Sequence, residues 1–120
     1  MSSEPKAVEV MRDTTNMDRP KVLQGMTFGE KCGCGDMFIT VNLDGDDVIQ
    51  EVFPRLGKAG GCAMAQAESI GRLASLASRL GASPEIIAQQ LRGVQCHRPP
   101  SCGEVIGKVI QEFIYEEEGD

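Results

Sequence analysis

The hydrophobic period of the chain changes once, across Leu56-Gly57-Lys58-Ala59-Gly60-Gly61-Cys62, and that change limits the fold more than any other feature. Ahead of it, Phe38, Thr40 and Asn42 alternate with Ile39, Val41 and Leu43, the period-2 pattern of a strand buried mainly on one side. Asp44-Gly45 supplies a hairpin turn, and Asp46 to Phe53 returns as a β-rich strand through Val48, Ile49, Val52 and Phe53. A fainter strand falls between Val22 and Lys31, with Met26 and Phe28 on its inner face. Beyond the glycines the period becomes about 3.6. Ala63, Ala67, Ile70, Ala74 and Ala77 then form one stripe of a helix over Cys62–Leu80, with Leu73, Leu76 and Leu80 beside it. Gly81 caps this helix.

Two shorter helices follow. Ser83-Pro84-Glu85 starts the first, which carries Ile86, Ile87 and Leu91 and stops at Gly93. Ser101 and Glu104 form a capping box for the second, whose apolar face is Val105, Ile106, Val109, Ile110 and Phe113. The expected architecture is α+β: a small antiparallel sheet of about three strands, packed by one long and two shorter helices. Residues 1–19 read as a flexible N-terminal arm, 20–115 as one domain and 116–120 as an acidic tail. The core must be aliphatic, because aromatic residues make up 4% of the 120 and tryptophan is missing.

Charge narrows the partners. A net charge of -6 argues against a phosphate backbone, which is bound through clustered Lys and Arg, so no nucleic acid is expected. No apolar run approaches the roughly 20 residues that span a bilayer, and Met1-Ser2-Ser3-Glu4-Pro5 is unlike a signal peptide. The expected setting is cytoplasmic, without membrane contact, and a homo-oligomer is compatible with the sequence. Asn42, Asp44, Asp46 and Asp47 do not make a calcium loop, because Asp47 stands where an EF-hand needs glycine.

In a reducing compartment the five cysteines read as metal ligands, redox groups or buried small side chains before they read as structural disulfides. Cys34, Cys62, Cys96 and Cys102 all stand at glycine- or proline-marked corners, so four sulfurs from separate elements can surround one zinc ion. An iron-sulfur cluster is the alternative on the same ligands, although the spacing matches no ferredoxin pattern. Cys32 and His97 are reserve ligands. Cys32-Gly33-Cys34 also reads as a redox pair, although a one-residue gap makes a strained ring. His97 next to Cys96 reads as a loop histidine rather than a catalytic base, and no catalytic residue is assigned. Gly57, Lys58, Gly60 and Gly61, ahead of a helix, also resemble an anion nest, a site for phosphate or another small anionic ligand.

The chain resembles the TSCPD domain, found near the C-terminus of adenosylcobalamin-dependent (class II) ribonucleotide reductases and in small separate proteins. The resemblance runs through Arg19-Pro20, Gly25-Met26-Thr27, Cys34-Gly35, Phe38 to Asn42, Glu51-Val52-Phe53, Leu56 to Ala63, Gly71-Arg72-Leu73, Gln90 to Val94, Cys96 and Ser101-Cys102. Gly103-Glu104 replaces the Pro-Asp of the family's naming motif, and five residues separate Cys96 from Cys102, fewer than in most full-length reductases. The resemblance implies a part in vitamin B12-dependent DNA precursor synthesis, and a ribonucleotide reductase catalytic subunit as partner. The catalytic barrel, its radical-bearing cysteine and the cobalamin site do not fall in this chain, so it implies no catalysis and no cobalamin here. It leaves a metal-stapled accessory or regulatory module, with a thiol or iron-sulfur electron donor as the rival reading.

Overall fold

The computed structural model describes residues 21–57 and 61–119. Strands β1 (Gln24–Cys32), β2 (Gly35–Leu43) and β3 (Ile49–Leu56) form an antiparallel sheet in the order β1-β2-β3. Helices α1 (Gly61–Arg79), α2 (Pro84–Leu91) and α3 (Cys102–Gly119) follow. This is the α+β arrangement that the change of period dictates. The expected N-terminal arm lies outside the described residues, and the α3 backbone stays helical through Gly119, so most of the acidic end is helix rather than tail.

Alternation sorts the sheet into two faces. Met37, Ile39 and Val41 of β2 are fully buried, and Val52 and Leu56 of β3 lie on the same side. Phe28 of β1 joins them and meets Phe113 of α3 edge to face, with ring centroids 6.3 Å apart. Val105, Ile106, Val109, Ile110 and Phe113 are all buried, so the apolar face of α3 is the one its spacing predicts. At the rim of that face Lys108 donates to Glu30 of β1 at 3.1 Å.

The turn between β2 and β3 differs from the expected Asp-Gly hairpin. Asp44 closes a longer loop: its Oδ1 accepts from the backbone N–H of Asp46 (2.8 Å) and Val48 (3.0 Å), and the residue with left-handed backbone is Asp47, not Gly45. A short polar side chain tolerates that conformation. The loop delays the return strand to Ile49.

Helix α1 packs against the free edge of β3, which explains a second departure. Its buried residues are Ala67, Gly71, Ala74, Ser75 and Ser78, whereas Leu73 is 68% exposed, Leu80 is exposed and Leu76 is half-buried. Serines win over leucines because a strand edge presents unpaired backbone groups. Val52 N–H donates to Ser75 Oγ (2.8 Å), Ser78 Oγ donates to Ile49 O (2.8 Å) and Arg79 Nε donates to Gln50 O (3.1 Å). Pro54, which lacks an N–H, sits on this strand against α1. A Cβ at Gly71 would stand 2.4 Å from Pro54 Cδ and 2.7 Å from Val52 O, so only glycine allows this approach.

Candidate functional site

Two stretches of backbone meet at one end of the sheet. The tight turn Cys32-Gly33-Cys34-Gly35 joins β1 to β2, with Cys32 paired to Gly35. The irregular segment from Val94 to Ser101 joins α2 to α3, and its Pro99–Pro100 peptide is cis. Gly33 N–H donates to Pro100 O at 2.9 Å, and a Cβ on Gly33 would lie 1.6 Å from Arg98 O. Contact this close requires glycine between the two cysteines.

The segment is fastened at its base by the residues that start α3. Ser101 Oγ accepts from Glu104 N–H (3.0 Å) as helix cap and donates to Val94 O (2.6 Å). Glu104 does not complete the expected capping box. Its carboxylate accepts instead from Gly93 N–H (2.5 Å) and Arg92 Nε (2.9 Å), at the end of α2. These bonds, the backbone one first, hold the Glu104 carboxyl below its ordinary value. The same clamp brings the end of α2 to the start of α3.

On this frame four thiols share a corner. Cys32 ends β1 and is 8% exposed, Cys34 occupies the turn half-buried, and Cys102 opens α3 half-buried. Cys96 is exposed, its thiol donating to Arg98 O at 3.2 Å. Their proximity is written in Cys102. Burial pushes its thiol up to about 11, helped by the charge of Cys32, a hydrogen bond with Cys32, and the nearby Cys34 and Cys96. A helix start favours thiolate, yet burial among other sulfurs outweighs it here.

Cys62 is exposed in the first turn of α1 and is not among the groups acting on Cys102. Cys32, a reserve ligand in the sequence reading, is in the corner. Its parity signalled this: Cys32 follows Met26, Phe28 and Glu30 on the core side of β1. His97 is exposed in the same segment. Of the anion-nest residues, Lys58 and Gly60 lie outside the described residues; Gly57 N–H bonds Asp36 O (2.9 Å), and Gly61 opens α1 with positive φ. Among the described residues, no three His, Cys, Asp or Glu side chains are arranged to hold a metal ion as they stand. No helix among them is long and apolar enough to cross a membrane.

An antiparallel sheet backed by three helices, with cysteines gathered where a hairpin turn meets a helix start, defines a small α+β cysteine-cornered domain. Comparison with known families gives that class a name: the model described as TSCPD domain matches residues 6–114, and the chain belongs to this family. Searches of curated proteins and of solved structures returned no significant match.

Proposed function

We propose that this chain is a non-catalytic accessory or regulatory module of an adenosylcobalamin-dependent ribonucleotide reductase system, docking on the catalytic subunit, with the cysteine corner as its structural staple. Membership of the TSCPD family over nearly the whole chain supports the association. The meeting of Cys32, Cys34, Cys96 and Cys102 carries the staple.

The donor set suits zinc, which takes sulfur ligands from separate elements and relieves the crowding of thiols by replacing their protons with one divalent charge. Cys34, Cys96 and Cys102 keep the roles their corners suggest, and Cys32 takes the place of Cys62. Closing the set requires more than one thiol to move, because no three of them stand ready for a metal, and it requires the Cys96 thiol to leave Arg98 O. The metal would supply cross-linking alone: it would join the β1–β2 turn to the start of α3.

Metal analysis of the purified chain tests the staple. The expected result is about one zinc per chain, retained in Cys62→Ser and lost in Cys34→Ser, Cys96→Ser and Cys102→Ser. Loss in Cys62→Ser with retention in Cys32→Ser would restore the first ligand set, and metal-free protein in every preparation would remove the staple. Co-elution with a reductase catalytic subunit tests the association, and no complex at micromolar concentrations would end it.

One observation favours the electron-donor reading as a second. Cys32 acts on the Cys102 thiol more strongly than Cys34 or Cys96 does, so a dithiol would use this pair rather than Cys32-Gly33-Cys34. Each turnover would form a Cys32–Cys102 disulfide and pass two electrons and two protons to a disulfide of the reductase. Burial of Cys32 and the raised value of Cys102 both slow such exchange, which places this reading second.

A further inference from the structure

The sheet face turned away from the helices carries a feature unrelated to the thiols. Register sets Phe38 of β2 opposite Arg55 of β3, and Thr40 opposite Phe53. The two rings are therefore diagonal neighbours, about 7–8 Å apart by sheet geometry. Phe38 is 47% and Phe53 53% exposed, although the protein has few aromatic residues to spare for its surface. The β1 position beside Phe38 is Gly29, so the floor next to that ring is flat.

Helix α1 rises beside this floor as a wall, and a groove of about 710 Å³ lies between them. Along the wall stand Glu68, Arg72 and Arg79. Arg72 is held by Glu68 at 2.6 Å, and Arg79, anchored through its Nε to Gln50 O, lines the groove with its terminal amino groups in no hydrogen bond among the described residues. Arg55 makes no hydrogen bond or ion pair among the described residues. Three guanidinium groups against one carboxylate give the groove positive charge on a chain of net charge -6.

We infer that this groove binds a nucleoside phosphate, its base stacked on Phe38 and Phe53 and its phosphates held by Arg55 and Arg79. The volume falls within the roughly 300–1,000 Å³ of small-molecule sites. Adjacent exposed rings accept a flat heteroaromatic ligand, and arginine forks match phosphate oxygens. A polymer fits poorly, because a chain of net charge -6 repels the next phosphates along a strand. Stacking does not read the edges of a base, so the site tolerates different bases. This inference does not rest on the reductase association or on the cysteine corner.

Calorimetric titration of the full chain tests it, with ATP as probe and adenosine, inorganic tripolyphosphate, a thymidine oligonucleotide and a glutamate-rich peptide as separate arms. ATP is expected to bind at least about tenfold more tightly than adenosine or tripolyphosphate, because ring and phosphate contacts act together. Phe53→Ser and Arg55→Gln change exposed side chains, so both variants should melt like the parent and each should weaken ATP about tenfold. Cys96→Ser should leave ATP binding unchanged, which separates failure here from failure of the staple. Four results would each overturn the inference: no ATP binding at millimolar concentration, tripolyphosphate binding as tightly as ATP, a tighter oligonucleotide or peptide, or groove variants that bind ATP like the parent.

Discussion

Gly33 shows how a single hydrogen atom decides whether the corner exists. A methyl group there would overlap Arg98 O, so Gly33→Ala must push the 94–101 segment off the β1–β2 turn. The expected loss is about 1–3 kcal/mol, typical of overpacking at a site that cannot yield, read from urea unfolding. Cys102 gives the corner a pH signature in the metal-free protein. Its folded value of about 11 lies above its ordinary 9.0, so the contribution is complete below about 9 and is lost as pH rises through 11. Alkaline unfolding should therefore become shallower in Cys102→Ser, and identical pH profiles would contradict the burial argument. Glu104 works in the opposite sense. Its folded value is depressed, so stability from its bonds to Gly93 and Arg92 is present above 4.5 and lost as pH falls through the folded value. Glu104→Gln should flatten the acid limb of the stability profile.

At the level of elements, the sequence displayed periods more faithfully than it displayed edges. β2 and α3 were legible because each buries one face against one neighbour, so period and burial coincide. α1 was legible as a helix and in its small-residue stripe, since Ala67 and Ala74 are buried and Ala63, Ile70 and Ala77 pack against the core, but the part played by its serines and the exposure of its flanking leucines were not. A hydrophobic stripe points toward oil, and nothing in a single sequence announces that the partner is a strand edge wanting hydroxyl groups. Ser75 is the test of that explanation. Ser75→Ala should leave the Val52 N–H without a partner in a dry interface, at about 1–3 kcal/mol, whereas Leu73→Ala should change stability little because Leu73 is 68% exposed. Equal effects would mean that α1 is held by its leucines after all. Cys34, Cys96 and Cys102 stood out in the sequence by their glycine- or proline-marked corners, whereas Cys32 was read only as a reserve. Cys62 carried the same sequence signal, a glycine-flanked corner at a helix start, yet it is exposed and does not act on Cys102.

Taken whole, the molecule separates its chemistry into two regions. Thiols occupy one end of the sheet, at the join with α3, while aromatic and guanidinium groups occupy the open face beside α1. Chelation of a stapling metal should accordingly lower the melting temperature and leave ligand contacts on the open face unaltered, an independence that parallel melting and titration curves would reveal. The sealing of β3 by Ser75, Ser78 and Arg79 has a bearing on assembly as well. Among the described residues no strand lies along the other side of β1, so the sheet can be lengthened in one direction and not in the other. Two copies that met along β1 would each present a helix at the far margin, and a third would find no backbone to join. Strand addition along β1 would therefore stop at a pair, a limit set by the hydroxyl and guanidinium groups that already occupy the β3 edge.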